Sequence, residues 1–261
     1  MKRTNSLLRV TALALFLFLY APIVAVVVFS FNEGRFGTDW QGFTLKWYAT
    51  LPGNQVALAA AWNTFLLALC STVIATFLGT LLGYALRRYE FPGRRLLGRL
   101  LHVPVFVPDI IMAVSLLLFF GLVRKWSGWF ELGLPTMIVA HVTFQVPFVA
   151  IVVRSRLAGL DPWLEEAAHD LGANAWQTFR SVTLPLMLPG VLAGAMLAFT
   201  LSLDDFVVSF FTSGPGSQTL PILIYGSARR GITPDINALS TLIIVLSAFA
   251  TVGVTLLQRK R

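Results

Sequence analysis

Three carboxylates stand inside long apolar stretches of this 261-residue sequence: Asp109 within Leu100–Val123, and Asp204 with Asp205 within Leu188–Phe211. A carboxylate in such surroundings is costly unless it faces a cavity, meets a partner or is protonated, so each marks a place for charge chemistry. No Lys or Arg shares those stretches. A path lined by carboxylates alone favours a cation, held by charge pairing. The competing reading is structural: Asp204 and Asp205 cap or pair at a membrane interface, and Asp109 hydrogen-bonds a helix kinked near Pro104 and Pro108. Other chemistry is missing. There is no G-x-x-x-x-G-K-[ST] loop to cradle phosphates, no G-x-S-x-G elbow and no H-E-x-x-H pair. His102 and His141 have no Cys or carboxylate at ligand spacing and read as packing residues, while His169 reads as exposed, so no metal site is expected.

The elements that position these carboxylates follow from composition. A soluble domain carries about a quarter charged residues, whereas here 12% are charged, 56% are hydrophobic and the mean hydropathy is +0.76. Too few charges exist to cover a water-facing surface, which excludes a soluble enzyme, and the single Cys70 excludes an internal disulfide. A helix crosses the hydrocarbon core with about 20 apolar residues. Intervals of that kind place spans at Val10–Asn32, Ala59–Leu86, Leu100–Val123, Leu132–Val153, Leu188–Phe211 and Ile236–Gln258. The expectation is an all-α integral membrane protein of six transmembrane helices, one domain over residues 1–261. Lys2 and Arg3 precede the first run as in a signal peptide, but its length and the lack of a small-x-small cleavage site read as a retained span.

With six spans both termini share one side. If that side is the cytoplasm, inner segments hold 14 Lys and Arg and outer ones six, which satisfies the positive-inside bias. Topology thus accounts for the net charge of +8, and no nucleic-acid partner is expected. Along a straight helix Asp109 would lie about 14 Å from Leu100, near mid-membrane, and Asp204 and Asp205 about 24 Å from Leu188. Neighbouring helical residues point about 100° apart. At most one of Asp204 and Asp205 is therefore expected in a cavity with Asp109, and the two cannot share a proton as opposed carboxylates do. Trp40, Trp47, Tyr48, Trp126 and Trp129 read as anchors at the bilayer surface.

The longest inner loop, residues 157–187, carries helical punctuation. Asp161 can cap a helix beginning at Pro162, with Glu165 and Glu166 near its positive end. Gly172 suits the left-handed residue that ends it, and Asn174 can cap a second short helix running toward Leu184 and Pro185. Leu164, Leu171, Trp176 and Phe179 are too apolar for a solvated loop, so the pair of helices either packs under the bundle ends or docks a cytoplasmic partner.

Glu166-Ala167-Ala168, Gly172 and Val182-x-Leu184-Pro185 resemble the EAA loop of permease subunits of bacterial ABC importers, departing only in Val182, where isoleucine is common. The likeness extends to Arg35-Phe36-Gly37, Trp40-Gln41-Gly42-Phe43-Thr44, Lys46-Trp47-Tyr48, Ser202-Leu203-Asp204-Asp205, Gly214-Pro215 and Asn237-Ala238-Leu239. Together these resemble the second of two non-identical permeases of spermidine/putrescine importers, over nearly the whole chain. The resemblance implies a type I ABC importer permease-like bundle in the inner membrane, moving polyamines past Asp109, Asp204 and Asp205. It implies that Glu166, Ala167, Ala168, Gly172, Leu184 and Pro185 belong to a coupling helix seated on an ATPase subunit. The expected partners are cytoplasmic ATPase subunits that use the ATP, a second permease in a heterodimer, a periplasmic or extracellular binding protein, and lipid. No cofactor is bound by the chain itself, and it is not an enzyme. Another small solute is the alternative, because one scaffold carries many functions. A stand-alone secondary transporter is more distant: such proteins commonly show two similar halves, and no repeat relates residues 1–128 to the rest.

Overall fold

A computed structural model describes residues 2–34, 39–128, 131–161, 163–231 and 233–245. Those residues are overwhelmingly helical, and the only sheet-like pairing among them is an isolated antiparallel bridge between Asn32 and Phe43. The helices run α1 Lys2–Phe29, α2 Lys46–Thr50, α3 Gln55–Arg88, α4 Arg94–Leu100, α5 Val103–Phe106, α6 Asp109–Ser127, α7 Leu134–Ala158, α8 Trp163–Asp170, α9 Ala175–Thr178, α10 Leu184–Leu203, α11 Val207–Thr212 and α12 Leu220–Arg230, followed by α13 Pro234–Val245. Among the described residues five helices are long and apolar enough to cross a membrane: Leu8–Phe29, Gln55–Arg88, Asp109–Ser127, Leu134–Ala158 and Ala175–Leu203. The sixth expected span, Ile236–Gln258, is described only as far as α13, and residues 246–258 lie outside the described residues.

The chain divides into two compact units, Met1–Leu58 with Leu223–Arg261, and Ala59–Ile222. In the first, α1 exposes apolar side chains from Leu8 to Val28, as a helix solvated by lipid would. The segment after it folds back on itself. Asn32 Oδ1 accepts from the Gln41 amide at 2.8 Å, and Phe31 stacks on Phe43 with centroids 5.4 Å apart. The Trp47 indole donates to the Asn32 carbonyl at 2.8 Å, and the Tyr48 and Ser30 hydroxyls lie 2.6 Å apart. The polar ends of Trp47 and Tyr48, expected as bilayer anchors, thus hold this clip together. Arg35, Phe36, Gly37 and Trp129 lie outside the described residues.

In the second unit α7 is the most buried of the five spans. Val149, Val153 and Leu157 pack with Met187 and Ala198 of α10, and Phe144 and Ala140 pack with Ala113 and Phe120 of α6 and Val208 of α11. Water supplies no hydrophobic drive inside a bilayer, so helices gain by close contact of small residues. A Cβ on Gly83 of α3 would stand 2.7 Å from the Ala150 carbonyl oxygen, and one on Gly194 of α10 would stand 3.2 Å from a Val149 methyl. The missing side chains let α3 and α10 lie against α7, which carries the buried polar residues Thr136, His141 and Gln145.

Candidate functional site

Asp109, Asp204 and Asp205 line one cavity of about 330 Å³, walled by Pro104, Met112, Phe144, Phe148, Leu201 and Phe206 through Val208. Among the described residues no Lys, Arg or His lines it. Two local breaks put them there, and both correct the straight-helix reading. After α5 the chain turns extended at Val107 (ψ 127°) and Pro108 (ψ 135°), so α6 begins at Asp109. Asp109 is therefore the first residue of its helix, where the dipole favours a carboxylate. It is not a mid-helix residue nine positions into a span. The fifth span ends at Leu203, and the backbone leaves the helix over residues 204–206 before α11 starts. The 100° divergence of neighbouring helical residues does not apply across that break, and both Asp204 and Asp205 reach the cavity.

The two neighbours have different surroundings. Asp205 Oδ1 accepts from the Val208 amide at 3.2 Å, Oδ2 accepts from the Ser209 amide at 2.7 Å, and Oδ2 lies 3.3 Å from His141 Nε2. It caps α11 as an N-cap aspartate does. Asp204 and Asp109 are exposed to the cavity, and among the described residues no other residue hydrogen-bonds or ion-pairs with their carboxylates.

His141 extends the Asp205 anchor into the core. Its Nδ1 lies 2.7 Å from Ser202 Oγ and its Nε2 3.0 Å from Ser209 Oγ. Ser202 Oγ is 3.3 Å from Ser71 Oγ, and the Gln145 amide donates to Ser71 Oγ at 3.2 Å and to the Ala198 carbonyl at 3.1 Å. A carboxylate needs a donor, which assigns the proton to Nε2 and leaves Nδ1 to accept from Ser202. These contacts connect Gln145 through Ser71, Ser202 and His141 to Asp205, and the Ser71 hydroxyl also donates to the Ala68 carbonyl at 3.4 Å. The packing role expected of His141 is a hydrogen-bonded one. Its one local signal is Gln145, one helical turn away on the same face; its partners come from distant stretches.

The inner-loop segment, residues 157–187, is built from local signals. The Trp163 amide donates to Asp161 Oδ1 at 3.0 Å at the start of α8; Pro162 lies outside the described residues. At its end Gly172 is left-handed, φ +86°, its amide donating to the His169 carbonyl and the Ala173 amide to the Ala168 carbonyl. That is the Schellman pattern. Asn174 Oδ1 accepts from the Gln177 amide at 2.9 Å, and Gln177 Oε1 accepts from the Asn174 amide at 2.8 Å. The second helix does not stop near Leu184 and Pro185. Helix continues from Ala175 to Leu203 through a π-helical turn at Phe179–Thr183. Pro185 has no amide hydrogen, and a widened turn just before it lets the helix pass.

Glu165, not Glu166, ties this segment down. It pairs with Arg88 of α3 at 2.9 Å and accepts from the Thr183 hydroxyl at 2.8 Å. Glu166, Ala167 and Gly172 are exposed and Ala168 is half-buried. Trp163, Leu171 and Trp176 stand 71%, 89% and 67% exposed around them. So much uncovered apolar surface on a helix pair fastened from behind is the geometry of a docking face.

Residues 75–260 match the family model described as binding-protein-dependent transport system inner membrane component. The chain is 43% identical to the spermidine/putrescine transport system permease protein PotC of Escherichia coli (strain K12), over 95% of this chain and 92% of that protein. It is 42% identical to the putrescine transport system permease protein PotI of the same organism, over 91% and 85%. Among solved structures it resembles a chain of a bacterial alginate ABC transporter in complex with an alginate pentasaccharide-bound periplasmic protein. The TM-score is 0.70 at 21% identity, covering 94% of this chain and 92% of that one. At that identity the likeness speaks for the fold, which is that of type I ABC importer permeases.

Proposed function

The chain belongs to the family of binding-protein-dependent transport system inner membrane components, and from that premise we propose that it is a permease subunit of an ATP-driven importer of polyamines such as spermidine and putrescine. The observation that carries this reading is the convergence of Asp109, Asp204 and Asp205 on one cavity without a basic side chain. The fold alone does not name a solute, since a chain of the same fold serves an importer of the polyanion alginate. A cavity lined by carboxylates repels a polyanion and attracts an ammonium.

In this reading the carboxylates divide the work. Asp205 is committed to α11 and His141, and holds the break open. Asp109 and Asp204 keep their oxygens for the solute. Each charged hydrogen bond to an ammonium is worth about 1.5 to 3 kcal/mol. Phe144, Phe148 and Phe206 line the same cavity and give apolar contact to the solute's methylenes.

The chain supplies the path, and the energy enters from outside it. A partner ATPase binds and hydrolyses ATP, and seats on the exposed face that includes Glu166, Ala167, Ala168, Gly172 and the neighbouring apolar residues. Leu184 and Pro185 lie where that segment enters α10, so force on it reaches the helix that ends at Leu203, beside Asp204. A second permease completes the path, a binding protein delivers the solute, and both termini face the cytoplasm. The test is uptake of labelled spermidine by vesicles holding the whole complex. Competition by putrescine and none by sulfate or an acidic sugar supports the reading; competition by the anions and none by putrescine overturns it.

A further inference from the structure

Residues 87–102 read Arg-Arg-Tyr-Glu-Phe-Pro-Gly-Arg-Arg-Leu-Leu-Gly-Arg-Leu-Leu-His, and they run from the end of α3 through a turn into the short helix α4. Gly93 is left-handed, φ +86°, and starts that helix. Arg94 is spent locally: its Nε donates to the Leu86 carbonyl at 3.0 Å, and it pairs with Glu90 at 3.3 Å. Arg95 and Arg99 are one turn apart on α4 and exposed. Arg154 reaches α4 from α7, at Gly98. It is half-buried, and a Cβ on Gly98 would stand 3.3 Å from its guanidinium, so the bare backbone of Gly98 is what leaves room for it. These groups, with His102 and Phe91, line one cleft of about 970 Å³.

The balance of this cleft is the anomaly. Four arginines line it against one carboxylate, Glu90, which already serves Arg94. Among the described residues no carboxylate pairs with Arg95, Arg99 or Arg154. A positive-inside bias explains why arginines are numerous on one side of a membrane protein. It does not explain why a half-buried guanidinium from a spanning helix joins two others in a cleft without a counter-ion. Planar guanidinium groups lining one cleft suit phosphate oxygens, which they hold in paired hydrogen bonds.

We propose that this cleft binds the phosphate headgroup of an anionic phospholipid, with Arg95, Arg99 and Arg154 as its ligands. The lipid source follows from the neighbouring ridge of the same helix. Leu96 and Leu100 lie one turn apart beside Arg95 and Arg99, both exposed, and Val103 and Phe106 continue the apolar row, Phe106 at 81% exposure. A soluble phosphate has no use for that row. A phospholipid lays its acyl chain along it while the headgroup fills the cleft, as basic pockets beside spanning helices hold anionic lipids.

The test uses the purified full chain in detergent, with phosphatidylglycerol or phosphatidylcholine added and bound lipid counted by native mass spectrometry. Wild type should retain phosphatidylglycerol in preference to phosphatidylcholine. Arg95→Gln and Arg99→Gln, exposed positions that cost the fold little, should each weaken phosphatidylglycerol about fivefold, the factor for one surface arginine. Arg154→Gln should do at least as much, Arg154→Lys should recover part of it, and Gly98→Leu, which fills the place of the Arg154 guanidinium, should match Arg154→Gln. Removing two charges elsewhere, Arg124→Gln with Lys125→Gln, should leave the preference intact. Equal retention of the two lipids, unchanged preference in all the cleft variants, or equal loss in the control overturns the proposal. Full displacement of phosphatidylglycerol by millimolar inorganic phosphate overturns the lipid source in favour of a soluble anion. Displacement by the partner ATPase overturns it in favour of a protein interface.

Discussion

An asparagine at Asp205 exchanges one carboxylate oxygen for an amide nitrogen in a site where every neighbour donates. Val208 N at 3.2 Å, Ser209 N at 2.7 Å and His141 Nε2 at 3.3 Å all point hydrogens at this carboxylate. Whichever way the amide turns, a donor meets a donor, and leaving one such buried group unsatisfied costs about 1 to 3 kcal/mol. The remaining bonds also lose their charge, which about halves their strength. Together these give about 2 to 4 kcal/mol of destabilisation for Asp205→Asn. Asp204→Asn faces no such donors, so its fold cost should be within about 0.5 kcal/mol. If it pairs with solute, its transport cost is about 1.5 to 3 kcal/mol, tenfold or more in uptake. Thermal unfolding of the purified chain and amine uptake by the reconstituted complex separate the two. Asp205→Asn should melt well below wild type; Asp204→Asn should melt with wild type and transport poorly. Equal melting of Asp205→Asn and wild type, or loss of folding in Asp204→Asn, refutes this division of labour.

Packing and coupling give further tests. Gly83→Leu forces a side chain against the Ala150 carbonyl and should destabilise the chain by about 1 to 3 kcal/mol or more, read as a lower melting temperature. Gly172→Val meets no atom within 4 Å but must hold a β-branched residue at φ +86°, a strain of about 1 to 2 kcal/mol confined to the docking turn; transport per ATP hydrolysed should fall while membrane insertion is normal, and unchanged coupling would remove Gly172 from the docking face. With Cys70→Ser as background, Gln218→Cys should react with an impermeant thiol reagent added outside and Asp170→Cys should not; the reverse pattern would invert the charge-based orientation.

The parts of the site that were legible in the sequence are those set within one helical turn. Asp161, Gly172 and Asn174 each cap by reaching two to five residues along the chain, and the structure uses all three as their spacing suggests. The carboxylates were legible as costly residues in apolar runs, but their convergence was not. No Pro or Gly marks the break after Leu203; it exists because Asp205 draws the Val208 and Ser209 amides toward itself and His141 supports it from α7. At Asp109 the signal was present, since Pro108 before a helical run starts a helix as readily as it kinks one. Pro185 misled in the opposite direction, because a π-helical turn absorbs the missing amide. The Ser71, His141, Ser202 and Ser209 network joins residues whose separation in sequence leaves no periodic trace, and only the packing of α3, α7, α10 and α11 makes it visible.

The central claim is that two uncommitted carboxylates, Asp109 and Asp204, carry a cationic solute. Its most direct measurement is ATP-dependent spermidine uptake by vesicles containing the whole complex with Asp109→Asn and Asp204→Asn combined, alongside ATPase activity and melting temperature. The account predicts a complex that assembles, melts with wild type and hydrolyses ATP, yet takes up spermidine at a small fraction of the wild-type rate. Wild-type spermidine uptake by that double variant would contradict it.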